Sequence, residues 1–375
     1  MWPVFLLLAP LPWEDTSLTP KALPHQDLPT LQIALPGVVQ ATYLSNGHLE
    51  VAHVVLEVEA KGAKAEVLLR LAQKAAEAAW QAHPSLSEVD LSLFAAPYRG
   101  AETLPLFTAS VPKNRAAEFF ALREARGYDR LWLNPGTASR FAPEPILEDR
   151  PRPEGPVSFR AKERATQLLQ SRMGAKAGVI YHGNPNQPLA ALTFDDAPHP
   201  LFTPLLLDLL RRLEVKATFF VIGRNAEAYP YFVRDMVEAG HELGNHTYHH
   251  VRLPKLSLEE IKQELLRCNE VLATITGEVP RYFRPPGGRY SPAVIQVARE
   301  LGLTTVFWTD DPGDYAGLAP GVLERRLEAH LRPGGIVLLH DNVVATLAVL
   351  PLFARKAKER GLVLGPVGAL PLARR

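Results

Sequence analysis

Apolar and polar positions follow two different patterns along this chain. Between residues 31 and 133, short alternating runs surround one long helical stretch. Residues 38–44 and 49–57 alternate apolar with polar around Asn46-Gly47, a dipeptide that readily takes the positive φ angles of a tight hairpin turn. Residues 63–83 place Val67, Leu68, Leu71, Ala75, Ala78 and Ala79 at helical spacing, and Pro84 stops the run. Residues 89–94 and 106–111 read as two further strands. Asn114 is positioned to cap a following helix whose apolar stripe is Phe119, Phe120 and Leu122. A small α+β domain is therefore expected over residues 25–140. His48, His53 and His83 lie in it without metal spacing, and it offers no chemistry of its own.

From Leu189 the pattern changes. Apolar runs of strand length at 189–194, 217–222, 242–245, 282–284, 304–309 and 336–340 alternate with helical spacing at 203–213, 226–239, 258–275, 292–301 and 323–331. Such alternation specifies an α/β fold with a parallel sheet, either doubly wound or closed into a (β/α) barrel. Several runs end in a polar cluster, and a barrel gathers the C-terminal ends of its strands on one face. A barrel over residues 189–375 is the expected architecture. Residues 141–156 are dense in proline and charge, and 161–172 have the spacing of a short amphipathic helix. The stretch 141–188 thus reads as a semi-rigid connection.

Composition narrows the function classes. The chain has 375 residues, long enough for two domains. Lys and Arg number 41 against 40 Asp and Glu, with no block of like charge, so nothing supports a nucleic-acid partner. The single cysteine, Cys268, excludes an internal disulfide but not export, because a core of this size needs no staples. Residues 2–12 are apolar but too short to span a bilayer as a helix, and Pro3, Pro10 and Pro12 interrupt them. Residues 1–24 read as a signal or anchor segment or an unstructured start. Export to the periplasm or cell envelope is the expectation, with no firm argument for membrane insertion and none about oligomeric state.

The candidate chemistry sits where apolar runs stop. Residues 189–194 run into Asp195-Asp196, and Pro198 and Pro200 prevent the strand from continuing. Two carboxylates at a strand end can converge, one to hold a cation and one to move a proton. His246 and His250 are four apart, which on a helical turn puts both on one face; two histidines with one carboxylate make a catalytic metal site. Their neighbourhood also contains the sequon Asn245-His246-Thr247, discounted because a glycan would block the cluster. Arg284 follows another apolar run and could pair with Asp195. Trp308-Thr309-Asp310-Asp311 mixes acids with an aromatic ring, as sugar pockets do. His340 ends the last run, a natural position for a general acid whose pKa a neighbouring carboxylate would raise.

In order, these clusters resemble the motifs TFDDG, H[ST]xxH, RxPY, DxxDW and LxH of the polysaccharide deacetylases, carbohydrate esterase family 4 with its NodB-homology domain. The matching residues are Thr193 to Ala197, His246 to His250, Arg284 to Gly287, Asp311 to Tyr315 and Leu338 to His340. The resemblance spans about half the chain and implies a distorted (β/α) barrel. It implies Asp195 as general base oriented by Arg284, and Asp196, His246 and His250 as ligands of a divalent metal, zinc, with cobalt, nickel or manganese as alternatives. It implies His340 as general acid tuned by Asp314, with Leu338 and Tyr315 lining the acetyl pocket and a backbone N–H at Gly287 facing the oxyanion. Three positions depart from the motifs: Ala197 for glycine, Gly287 for tyrosine and Tyr315 for tryptophan. The implied function is removal of acetyl groups from N-acetylated sugars of a glycan, peptidoglycan foremost. The alternatives are an O-acetyl polysaccharide esterase, a non-catalytic glycan-binding cell-wall protein, and an amidase of a non-sugar small molecule.

Overall fold

A computed structural model of the protein describes residues 26–59, 63–100, 103–135, 164, 169 and 178–371. The first sheet has the order β1 (Val38–Ser45), β2 (Glu50–Val58), β3 (Glu88–Ala95), β4 (Phe107–Pro112) and β5 (Leu131–Leu133). The β1–β2 hairpin turns at Asn46-Gly47, and Gly47 takes the positive φ of 86° that the turn requires. Strands β2 and β3 run parallel, so the chain between them must cross over the sheet, and the helix Ala65–Ala82 makes that crossing. Its buried face is Leu68, Leu69, Ala72, Ala75, Ala76 and Ala79, small enough to lie close on the strands.

Asn114 does not cap the next helix. It lies inside a 3-10 turn, Lys113–Arg115, and the helix Ala116–Ala121 starts with Arg115 at its N-cap and no side-chain cap bond. Strand β3 is buried on both faces because its second face meets the barrel. There Ser92 Oγ lies 3.0 Å from Tyr229 Oη, and Arg130 grips both Asp235 oxygens at 2.9 and 2.7 Å.

The second sheet is parallel, in the order β12 (Ile336–His340), β7 (Leu189–Ala197), β8 (Thr218–Val221), β9 (Glu242–Asn245), β10 (Tyr282–Phe283), β11 (Thr304–Val306), β6 (Val179–Ile180), with β13 (Val363–Gly365) beside β7. A parallel bridge between Asp310 and Val337 joins the chain beyond β11 to β12 and curls the sheet into a distorted barrel. Ile180, Ala191, Phe220, Val306 and Ile336 pack together from five of these strands. The helix Leu258–Thr276 starts at a complete capping box, Ser257 with Glu260.

Three expectations for the barrel need revision. The helical spacing at 226–239 is two helices, Gly223–Ala228 and Pro230–Glu238, because Pro230 cannot continue the first and suits the start of the second. The run at 304–309 leaves the sheet after Val306. Strand β6 falls inside the stretch expected as a connection, yet pairs with β11. The helix Val344–Glu359 and β13 complete the barrel beyond His340. Residues 1–24, the proline-rich stretch 141–156 and nearly all of 161–172 lie outside the described residues. No helix among the described residues is long and apolar enough to cross a membrane.

Candidate active site

The C-terminal ends of β7, β9, β10 and β12 deliver Asp195, Asp196, His246, Arg284 and His340 to one face of the barrel. Both aspartates lie inside β7 rather than after it. The register with β8 shifts between Phe194 and Ala197, and Asp196 has φ 70°. Strict alternation would send the two side chains to opposite faces; the irregularity turns the second acid back towards the first.

His246 and His250 are not on a helical turn. Strand β9 ends at Asn245, and the chain then folds tightly, with φ 65° at Thr247 and 59° at His250. Asn245 Oδ1 accepts from Thr247 N at 2.7 Å, and Thr247 Oγ1 accepts from His250 N at 3.0 Å. These two side-chain bonds hold a left-handed backbone that would otherwise be strained. The sequon is thereby explained: Asn245 is fully buried and shapes the loop, with its amide on Leu265 O and Asn269.

Asp196, His246 and His250 offer ligand atoms that all lie within 4.8 Å of one another. His246 Nδ1 sits 2.8 Å from Arg284 O, which fixes its proton there and leaves the Nε2 lone pair free. That Nε2 is 3.6 Å from Asp196 Oδ1, and His250 Nε2 is 3.1 Å from the same oxygen. Asp196 Oδ1 is buried and accepts no well-formed hydrogen bond. Burial is the largest influence on His250 and pushes its pKa down to about 4 against the pull of Asp196, so at neutral pH the ring is uncharged. Burial pushes Asp196 up, but His250, His340 and His246 outweigh it and hold the carboxyl below its ordinary range. Two imidazoles and one carboxylate, one of whose oxygens is buried without a hydrogen-bond partner, are a donor set that fits a divalent cation.

Asp195 is held separately. Arg284, with no exposed surface, donates from Nη1 to Asp195 Oδ1 and to Thr193 Oγ1, both at 2.8 Å. Its Nε donates to Val306 O at 3.2 Å, and its guanidinium lies 4.1 Å from the centre of the Phe220 ring. Burial lowers the guanidinium pKa and Asp195 opposes it, without threatening the charge. The other oxygen, Asp195 Oδ2, faces His246 Nε2 at 3.7 Å.

On the far side, Asp314 closes its carboxylate around His340. Its Oδ1 is 2.8 Å from His340 Nδ1, and its Oδ2 accepts from His340 N and Thr346 Oγ1, each at 2.7 Å. The backbone turns sharply on both sides of Asp314, through Gly313 (φ 76°) and Gly317 (φ 68°). Burial disfavours the imidazolium, but the charge and hydrogen bond of Asp314 outweigh it and push His340 up to about 10. The Tyr315 ring stands 5.3 Å from that of His340, and Leu338 is buried two positions earlier on β12. Gly287 occupies a left-handed turn at φ 60°, and a side chain there would meet nothing within 4 Å. The position where the family motif has tyrosine is thus open around a Cβ.

Thr193 belongs to the first cluster but has no role assigned from sequence, and Thr346 and Phe220 stand outside every cluster. Thr193 was findable, since it shares a strand face with Asp195. Thr346 and Phe220 reach the site through tertiary packing and carried no local signal.

The polysaccharide deacetylase family profile matches residues 182–306. A peptidoglycan-N-acetylglucosamine deacetylase of Bacillus cereus is 36% identical over 201 residues, which cover 52% of this chain and 93% of that protein. A solved peptidoglycan N-acetylglucosamine deacetylase, 28% identical, superposes with a TM-score of 0.51 over 55% of this chain and 97% of that one. A family 4 carbohydrate esterase pseudoenzyme from Bacillus anthracis, 34% identical, superposes with a TM-score of 0.50 over 51% of this chain and 68% of its own. The same fold therefore occurs in a pseudoenzyme, so the side chains, and not the fold, decide whether catalysis is possible. By this relatedness, the chain belongs to the polysaccharide deacetylase family.

Proposed function

We propose that the protein is a metal-dependent hydrolase that removes acetyl groups from N-acetylated sugars, with peptidoglycan of the cell envelope as its substrate. The observation that carries the reading is the meeting, on one barrel face, of three separate devices. They are the Asp196–His246–His250 donor set, the Arg284-held Asp195, and the His340–Asp314 pair. Relatives named as peptidoglycan deacetylases support this substrate class, and a cell-wall substrate supports a location outside the cytoplasm.

Asp196, His246 and His250 would hold the cation, for which zinc suits two imidazoles and a carboxylate; cobalt, nickel and manganese accept the same donors. When bound, such a cation polarises the amide carbonyl and acidifies a water molecule. Asp195, aimed by Arg284, takes the proton that water loses as it attacks the acetyl carbon. The Gly287 N–H is assigned to the oxygen of the tetrahedral intermediate, since the glycine keeps the backbone donor of the motif. His340, cationic through neutral pH, then gives its proton to the departing nitrogen as the carbon–nitrogen bond breaks, leaving acetate and an amino sugar. Asp314 keeps that proton on the correct ring face by engaging Nδ1, so Nε2 is the nitrogen that meets substrate. Tyr315 and Leu338 are assigned to the walls around the acetyl methyl.

Two substitutions separate the roles. His246→Ala is expected to lose bound metal and acetate release together, by elemental analysis and acetate assay. Asp195→Asn is expected to keep the metal and lose turnover by at least about a hundredfold. Full activity in Asp195→Asn would show the base to be another group.

A further inference from the structure

The segment preceding β1 reaches across to the catalytic face of the barrel. One end is fixed to the first sheet, where Tyr43 N donates to Pro29 O and Leu31 N to Ala41 O, both at 2.9 Å. At the other end the Gln26 amide makes two bonds to the chain just beyond His340. Its Nε2 donates to Asn342 O at 2.9 Å, and its Oε1 accepts from Val344 N at 2.8 Å. Val344 opens the helix Val344–Glu359, whose N-cap, Val343, has no side chain able to accept from it. Gln26 supplies that missing acceptor from a distant part of the sequence, and in doing so it pins Asp27 beside the site.

Between this strap and the barrel lies a cavity of about 430 Å³, lined among others by Gln26, Asp27, Tyr315, Leu318, Val344 and Ala345. Asp314 also borders it, and the Tyr315 ring, 41% exposed, stands 5.3 Å from that of His340. The cavity thus adjoins the acid side of the catalytic centre. Its volume falls within the roughly 300–1,000 Å³ of small-ligand sites. Its lining combines a half-exposed aromatic ring and aliphatic side chains with a carboxylate and an amide. A pyranose needs that combination, having an apolar C–H face and a rim of hydroxyl donors. Gln26 and Asp27 lie outside residues 182–306, where the family profile matches.

We propose that this cavity is a sugar subsite built jointly by the strap and the barrel, and that it holds the glycan unit next to the one being deacetylated. The Tyr315 ring and Leu318 pack against the sugar, and Asp27 accepts from its hydroxyls. The first domain then contributes to recognition directly, by presenting a wall of the cleft, and the enzyme favours glycans long enough to reach it. The inference rests on the deacetylase reading of the adjoining centre.

The test uses the full chain with N-acetylglucosamine oligomers of increasing length. Binding to chelator-treated protein is followed by calorimetry, and acetate release is followed with metal restored. The variants are Asp27→Ala, at an exposed position, and Ala345→Trp, which fills the cavity. Both are expected to weaken binding of the longer oligomers roughly tenfold and to raise their KM with kcat intact, leaving the shortest substrate unaffected. Equal binding of all lengths by the wild type, or unchanged binding of long oligomers in both variants, would overturn the subsite. Failure of the deacetylase reading is distinguishable: the wild type would release no acetate from any oligomer, while the length dependence of binding would still report on the cavity.

Discussion

Arg284 and Asp195 offer the sharpest energetic test of the site. The guanidinium has no exposed surface, the carboxylate is 4% exposed, and one 2.8 Å hydrogen bond joins them. Replacing Arg284 with Met removes the cation from a cage formed by Thr193, Val306 and Phe220, and strands a buried carboxylate. Removing one partner of a buried pair costs about 3–5 kcal/mol, most of it the desolvated charge left behind. Asp195→Asn keeps the shape and an acceptor but removes the charge, so on that background Arg284→Met should cost at least about 2 kcal/mol less. Urea unfolding of the four chelator-treated proteins measures this coupling directly. The Arg284→Met protein should also retain its metal, because His246 is held by the backbone carbonyl of Arg284 and not by its side chain. Additivity of the two substitutions within about 0.5 kcal/mol would refute the reasoning, since it would mean that the two groups do not share a desolvated pair.

Two further outcomes follow from the same geometry. The folded pKa of His340, pushed up to about 10, lies above the ordinary value of 6.5. The stabilisation this gives is complete below the lower value and is lost as pH rises through the upper one. Thermal midpoints measured from neutral to strongly alkaline pH should therefore fall in the wild type, and His340→Gln should remove most of that slope; an unchanged slope would place the titration elsewhere. At the paired glycines, a Cβ on Gly288 would sit 2.5 Å from the Trp308 ring at φ 65°, whereas one on Gly287 meets open space at φ 60°. Gly287→Ala should cost about 1 kcal/mol, the strain of the left-handed backbone, and Gly288→Ala about 1–3 kcal/mol more from the ring clash. Equal denaturation midpoints for the two variants would show that the loop does not rest on Trp308.

Much of the fold was legible because its strands and helices have the periodicities of their environments. Buried strands such as β7 and β12 are continuous apolar runs, and the helices beside them carry one-sided stripes. The short strands were the hard ones. Val179–Ile180 and Val363–Gly365 have two and three residues, too few to show any period, and only their pairing with β11 and β7 makes them strands. The helix Val344–Glu359 carries Pro351 inside it and few polar residues in its first turns, so its spacing gave no clear stripe. At the site, the residue types and order were readable, but the backbone was not. Histidines four apart suggested a helical turn, whereas Asn245 and Thr247 build a left-handed loop that brings the same rings together. Residues that act through tertiary packing, among them Thr346 on Asp314 and Gln26 beside Val344, are separated from their partners by 32 and 318 positions and left no local trace.

Metal-dependent release of acetate from an N-acetylated glycan is the property on which every assigned role in this site depends. Acetate release should be measured from peptidoglycan and from chitin oligomers, with chelator-treated and zinc-restored protein side by side. Release from peptidoglycan is expected to disappear with chelation and to return with zinc. No release from either glycan, by protein shown to hold its metal, would contradict it.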